Sequence, residues 1–508
     1  MSDRTSFEVI VLGGGPAGTA AATLLARRSH EVVLVCPPSP PAGQLAESVP
    51  PSARRLLSEL GVLDAVEAAG FYANTGNTVW WANANARGER FGGNEPGFHV
   101  DRVGLERVLV AAAEACGVRL LLGMSARSAV QSEHGWSVTC EGTDGGILEL
   151  SAPWLIDATG RHGLLAREVR EPDRSTTTLA LVRRFRRPGG WGDDVLGQTL
   201  IESYEDGWVW SVPLSAEIRC TTAMVDQRHA DLSGVHVGAM LDTELAKTRH
   251  LGVLLEHATP EDDGWACPAS LYCASQYAQP GLALAGDAGS FIDPLSSYGV
   301  KKALAAAWLA AVVVHTSLTN SALAAVALDL FNRREREIHA AAVRQSAQFF
   351  ADAATRHHHP FWTGRATMDQ MADTGDAGGT APEIDIDALR RDPAVMAAFD
   401  TLRQGSGIRL RRGDHLRVEA RPALTIRDVV MEDRLVLPDW PPTGRGVRFL
   451  RDIDLVQLVE LAPNHRQGPD LYEAYNRQCA PVSLPDFLGA LSVLLAKGAL
   501  RNDMTEPG

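Results

Sequence analysis

The chain has 508 residues, 45% of them hydrophobic and 22% charged, with a formal net charge of −14. That length suits two to four domains at about 150 residues each. This composition excludes a collagen-like chain, a wholly disordered one and a disulfide miniprotein, and the acidic balance argues against a protein that mainly coats nucleic acid. Seven scattered cysteines (36, 116, 140, 220, 267, 273 and 479) include no C-x-x-C pair, which suits a reducing compartment and argues against zinc. The first residues show no basic region followed by an apolar core and a cleavage site, so the expectation is a cytoplasmic protein without a signal peptide. The longest apolar run, Ala303 to Val314, reads as a buried helix too short to span a bilayer, and no membrane partner is expected. Only four lysines occur, at 247, 301, 302 and 497.

Phe7 to Leu12 reads as a buried strand, the following Ala/Leu-rich segment to Arg28 as a helix, and Glu31 to Val35 as a second strand. Further elements are expected at Ser52 to Leu60 (helix), Val79 to Trp81 (strand), Leu105 to Cys116 (helix), and Arg119 to Leu122, Trp136 to Cys140 and Trp154 to Ile156 (strands). From 176 to 275 the pattern alternates, with strands at Thr178 to Phe185, Thr199 to Glu205, Trp208 to Val212 and Cys220 to Val225. This predicts an antiparallel substrate sheet inserted into an α/β domain made of 1–175 and 276–365. Leu282 to Ala285 returns as a buried strand, followed by helices from Val300 and over Arg333 to Ala354. Residues 370–385 read as linker, within a linker and helical segment at 366–418. Residues 419–508 predict a strand, two helices and an apolar third helix, a small winged-helix-like unit.

Between the first strand and helix lie Gly13, Gly15, Pro16, Ala17 and Gly18. Gly13 permits a tight turn, Gly15 lets backbone approach a pyrophosphate, and Gly18 lets the helix lie close to the sheet. The helix N-terminus then offers N–H groups to phosphate. The acidic residue that grips a ribose at the end of the second strand is absent; Cys36 occupies its place. Asp157 and Gly160 follow a later strand, and Gly286 and Asp287 follow another.

In that order and spacing these motifs resemble the FAD-dependent monooxygenases of the glutathione-reductase-like fold, over residues 5–365. The resemblance implies bound FAD, with Arg102 approaching the flavin and Asp287 at the ribitol. Trp208-Val-Trp210-Ser-Val-Pro213 looks like the W-x-W-x-I-P signature of flavin-dependent halogenases, and Asp293 to Gly299 like their loop at the flavin. Ala46-Glu47-Ser48 resembles their strap over the ring. Their lysine sits in F-x-x-K-x-G; here Phe71 to Gly76 carries Asn74 instead, and no lysine precedes Lys247. Tyr298 stands where the family has a small hydroxyl residue.

The resemblance without its lysine implies oxygen transfer from a flavin C4a-hydroperoxide to an electron-rich ring rather than halogenation. Asn74, Glu47 and Trp210 become candidates for orienting the ring, with Glu47 alternatively a backbone cap. Ser48, Arg102 and Gly299 join the FAD-binding set. The chain is similar to flavoproteins that hydroxylate a protein-borne tryptophan in maturing cysteine tryptophylquinone. A hydroxylase or oxidase of a small aromatic, a lysine-independent halogenase, and a binding module with structural FAD are the alternatives. The reductant is external, NAD(P)H or a reductase. His357, His358 and His359 read as a packed helix end rather than a metal site. The Arg183 to Arg187 run reads as a solvated strand edge.

Overall fold

The structure is a computed structural model that describes residues 5–38, 45–82, 87–91, 95–173, 176–227, 236–368, 384–404, 407–441 and 445–503. The chain divides into two compact units, Met1–Ala377 and Gly378–Gly508. The expected linker at 370–385 lies outside the described residues except for Ile384 and Asp385.

The first unit is built on a six-stranded sheet. Its central strand, Val9–Leu12, is wholly buried and pairs in parallel with Val32–Cys36 and Trp154–Asp157. These strands read as continuous apolar runs because helices and further strands cover both faces. The helix Pro16–Ala26 starts right after the glycine turn, and ten of its eleven residues are buried. Gly18 is the reason it can lie so close: a Cβ there would stand 1.9 Å from the Gly13 carbonyl oxygen. A three-stranded meander, Met124–Ser132, Gly135–Gly142 and Ile147–Ala152, leads into Trp154–Asp157.

The second sheet has eight strands and carries the expected Thr178–Arg186, Gln198–Tyr204, Gly207–Pro213 and Ile218–Asp226. Its boundary differs from the 176–275 expectation. Gly76–Trp80 joins it in parallel with Gln198–Tyr204, and Arg87–Arg90 extends the edge. Strand pairing across more than a hundred residues leaves no local periodicity, so sequence pattern assigns these residues to the wrong layer. The expected solvated edge at Arg183 to Arg187 is not one: Thr178–Arg186 pairs with Ile218–Asp226 on one side and with Thr259–Pro260 and Trp265–Pro268 on the other, and its arginines are taken up by ion pairs, Arg183 with Asp242 and Arg186 with Glu217 and Glu261.

The helix Gly299–Thr319 is longer than the apolar run suggests and is long and apolar enough to cross a membrane. Here it is a core helix, two thirds buried and packed against Pro16–Ala26 and Ala324–Ala354. Its first turn carries Lys301 and the buried Lys302. His359 caps the helix Pro360–Arg365 by accepting the Phe361 N–H, and His357 meets Ser203 Oγ at 3.0 Å while stacking on Trp362. Among the described residues no three His, Cys, Asp or Glu side chains converge as a metal site.

The second unit begins earlier than the expected 419. Helices Ile386–Arg391 and Pro393–Arg403 contribute Leu389 and Val395 to the same core as Leu455–Leu461, Gly468–Gln478 and Leu484–Ala496. The hairpin Arg417–Leu424 with Val429–Val436 precedes these three helices. Arg448 and Arg451 lie ahead of the helices and are spent on Asp454 and Asp486, each at 2.8–2.9 Å.

Candidate active site

The glycine turn, the two later turns and the Ala46–Val49 strand converge on one cavity in the first unit. Gly15, Pro16, Ala17, Glu47, Ser48, Arg102, Gly160, Asp287, Gly299 and Trp210 all line it. Its remaining walls are mostly apolar, with Ile201, Trp208, Phe291 and Leu295 prominent.

Whether these residues fit FAD is tested by the backbone. Gly13 has φ +105°, and a Cβ there would meet the Ala158 carbonyl oxygen at 2.3 Å. Gly15 is different: it lines the cavity, and a Cβ on it would meet only side-chain ends in ordinary contact, Glu106 Oε1 at 3.7 Å and Arg102 Nη2 at 3.8 Å. The helix Pro16–Ala26 has no side-chain cap, and Pro16 at its start needs no acceptor. Its leading N–H groups and dipole are therefore available to a pyrophosphate. These features fit FAD. Glu106 lies beside Cys36 and contributes, after burial, to pushing the Cys36 thiol up to about 11.

Arg102 emerges at the start of the helix Arg102–Ala115, which Asp101 caps by accepting the Gly104 N–H at 2.7 Å. Its guanidinium reaches Glu106 at 3.1 Å and Glu47 at 3.4 Å. Burial works against that charge, but Glu47, Asp287 and Glu106 hold it above the usual range. Burial likewise pushes the Glu47 carboxyl up, while Arg102 pulls it back. Glu47 therefore makes a side-chain ion pair on the cavity rather than capping backbone.

Six expected site residues take other places. Asp157 is fully buried and accepts the N–H groups of Thr159, Leu165 and Ala166 and the Thr159 hydroxyl, so it folds the Gly160 turn rather than facing the cavity. Gly286, at φ +66°, and Gly13, at φ +105°, shape turns behind the lining, and Gly18 sits within the helix Pro16–Ala26. Asn74 is 1% exposed and off the cavity; it gives its amide N–H to Ser48 Oγ at 2.8 Å. Tyr298 points outward under Lys301, whose Nζ lies 5.0 Å from its ring centre, although Ser297 and Gly299 on either side do line the cavity.

Other contributors escape a reading of motifs. Arg170 donates to the carbonyl oxygens of Gly160, Arg161, Asp287 and Ala288 at 2.7–3.1 Å, tying two turns of the site together. Tyr272 adds a hydrogen bond to the Asp287 carbonyl at 2.7 Å. Thr199 lines the cavity and bridges Ser48 and His99, each at 2.9 Å. An arginine, tyrosine, threonine or histidine in a strand carries no spacing signal, so only the fold brings these groups in.

A dinucleotide turn, a strap, an Arg–Glu pair and an apolar cavity on a second sheet are the features of an FAD-binding fold. The chain belongs to the tryptophan halogenase family, whose model matches residues 82–376. It is 30% identical over 352 residues to tryptophan 2-halogenase of Chondromyces crocatus, covering 65% of each chain. It is 28% identical over 352 residues to the flavin-dependent halogenase rdc2 of Metacordyceps chlamydosporia, covering 63% of this chain and 66% of that one. The matches thus span just under two thirds of these relatives' own length. Among solved structures, the flavin-dependent halogenase CmlS superposes with a TM-score of 0.75 at 20% identity, over 99% of this chain and 96% of that one. The myxobacterial chondrochloren halogenase CndH gives 0.66 at 26% identity, over 71% and 86%. The peptidyl tryptophan dihydroxylase QhpG, essential for tryptophylquinone cofactor biogenesis, gives 0.68 at 21% identity, over 97% and 99%.

Proposed function

We propose that this protein is an FAD-dependent monooxygenase that hydroxylates an electron-rich aromatic ring held in the cavity beside the strap. One observation carries the choice of oxygen over halogen. All four lysines lie in described residues, and none lines the cavity. Lys247 is paired with Asp206 and Glu244, Lys301 reaches Ser52, Lys302 turns to backbone carbonyls and Lys497 pairs with Asp392. Asn74, at the position of the halogenase lysine, is consumed by Ser48 and Gly76. An amide carries no charge and forms no chloramine.

Bound, reduced FAD supplies the activation of dioxygen. The protein's part is to hold the ring and keep water out. Trp210 stacks on Trp208 at 5.0 Å, and with Ile201, Phe291 and Leu295 it offers flat apolar walls. Such walls exclude water and fix a ring's orientation, which supplies most of what an electrophilic attack requires. Arg102 and Glu47 hold each other at the cavity's polar end. The electrons come from outside, from NAD(P)H or a reductase, since the sequence carries no separate nicotinamide fingerprint. The seven unpaired cysteines support the reducing cytoplasm as the compartment.

The finer reading is a tryptophan or indole side chain on a peptide or protein, during quinone-cofactor biogenesis. The likeness to QhpG, which extends over 97% of this chain and so includes the second unit, supports it. A small aromatic of natural-product biosynthesis is the alternative substrate. Halogenation is the second reading, and the curated relatives named halogenases favour it. The test is to incubate the FAD-loaded protein with reductant, oxygen, bromide, and free or peptide-borne aromatics. Products heavier by oxygen are expected; a brominated product overturns the proposal.

A further inference from the structure

Two tryptophans of the cavity wall begin a line of indole rings that leads away from it. Trp208 and Trp210 alternate along the strand Gly207–Pro213, so both side chains leave the same face of the sheet, and both line the cavity. Their rings stack with centres 5.0 Å apart. Trp208 in turn meets the ring of Trp81 edge to face at 6.1 Å. Trp81 follows the strand Gly76–Trp80 of the same sheet and does not line the cavity. It is half-buried, and the fully buried Trp362 holds its ring edge to face at 5.3 Å.

Rings at such separations pack well, so apolar bulk alone accounts for a cluster of this kind. It does not account for how the indole N–H groups are treated along the line. Trp81 Nε1 donates to the Phe349 carbonyl at 2.8 Å. The indole N–H groups of Trp208 and Trp210 make no hydrogen bond among the described residues.

That difference sets a direction. An indole that has lost an electron is a radical cation whose N–H carries part of the positive charge. A carbonyl accepting from that N–H stabilises the cation more than the neutral ring, as with any charge-assisted hydrogen bond. Partial contact with water stabilises it again, whereas full burial opposes it. Trp81 has both the carbonyl and the water; Trp208 has neither and Trp210 lacks the carbonyl. A positive hole formed at the cavity wall therefore runs downhill to Trp81 and away from the reacting ring.

We propose that Trp210, Trp208 and Trp81 form an electron-transfer chain that carries oxidising equivalents out of the cavity to a thiol in solution. The inference rests on the oxygenase reading for its oxidant. When no substrate ring is present, incomplete reduction of dioxygen leaves a one-electron oxidant in a cavity whose walls are themselves oxidisable. The oxidant takes one electron from Trp210 or Trp208, whose ring becomes the radical cation. Trp81 passes an electron inward and becomes the radical cation in its place. A soluble thiol gives Trp81 one electron and releases one proton to water, and two thiols so oxidised join as a disulfide. Each tryptophan ends as it began, and the oxidant gains one electron per pass. The chain thus spares the ring-holding wall from covalent oxidation.

The test uses FAD-loaded protein without oxygen or substrate. Blue light turns the bound flavin into a one-electron oxidant inside the cavity, and the transient absorbance of the indole radical is followed. The wild-type radical is expected to outlive that of Trp208→Phe and of Trp81→Phe about tenfold, because either change strands the hole at the wall, where the electron returns fast. Trp80→Phe alters a ring stacked on His250, outside the line, and keeps the wild-type lifetime. Added glutathione discharges the wild-type radical but not that of Trp81→Phe. Melting temperature and flavin bound per protein identify a variant that has lost its fold; Trp81 lies off the cavity, so its variant decides if Trp208→Phe does not fold. A role in packing alone would move melting temperatures without sorting the lifetimes. The inference is overturned if illumination yields no indole radical, if wild type and Trp81→Phe have equal lifetimes, or if glutathione leaves the wild-type signal unchanged. The flash needs only bound FAD, so these outcomes leave the oxygenase reading standing, and that reading falls instead on the product's mass.

Discussion

Lys302 Nζ lies 3.8 Å from Asp287 Oδ1, at the turn that closes the cavity. Its side chain is 4% exposed, and it also donates to the carbonyl oxygens of Gly286 and Ser290. A buried ammonium is costly unless its protons are satisfied, and here two carbonyl oxygens accept from it while the Asp287 carboxylate balances its charge. Lys302→Met leaves those carbonyls unpaired in the core. We expect a loss of about 2–3 kcal/mol in stability, together with weaker FAD binding, read by thermal unfolding and by titration of apoprotein with FAD. An unchanged flavin affinity would count against this role for Lys302.

The charge of Lys302 also acts on Glu335, which is 1% exposed and has no hydrogen-bond partner on either oxygen among the described residues. Burial pushes its carboxyl up to about 7, with Lys302 opposing. A folded state that holds its proton more tightly than the unfolded chain loses stability as pH rises from the unfolded value toward the folded one. The stabilising contribution is complete below the ordinary carboxylate range and is gone above neutrality. Glu335→Gln cannot ionise, so its melting temperature relative to wild type should climb between about pH 5 and about pH 8. A pH-independent difference would show that Glu335 is not the titrating group.

Gly13 is the backbone position on which the FAD-binding turn depends. Alanine there meets the Ala158 carbonyl at 2.3 Å and must also adopt φ +105°. Strain of roughly 1–3 kcal/mol in such a conformation is expected to weaken FAD binding by about tenfold or more. Flavin absorbance per protein after gel filtration measures it, with circular dichroism confirming the fold. A fully yellow Gly13→Ala protein is the contrary result.

Asn74→Lys restores the halogenase residue type, yet the site behind Ser48 is buried and already filled. Lysine there would break the bonds to Ser48 and Gly76 and bury a charge without a carboxylate partner. We expect a stability loss of about 2–4 kcal/mol and no halogenated product by mass spectrometry with bromide. Bromination by this variant would mean that the lysine alone separates the two chemistries.

Much of this was legible in residues close along the chain. The glycine turn, the strand–helix–strand opening, the strands of the second sheet and the three helices of the second unit each carry a local periodicity or a local turn requirement. The roles of Asp157, Asn74 and Tyr298 were not legible. A motif fixes which residue follows a strand, but whether that side chain faces the cavity or the turn behind it depends on side-chain packing from distant segments.

By itself, then, the sequence determined the flavin-binding architecture and the absence of a lysine from the halogenase motif, because both are written in residue type and short spacing. Only the tertiary structure decided what lies around the ring: Gly76–Trp80 crossing into the second sheet, Arg170 clamping two turns, and Thr199 carried to Ser48 and His99. Those partners are separated by as many as 151 residues, and a hydrogen bond only a few ångströms long leaves no trace in the order of the chain until the sheets have packed.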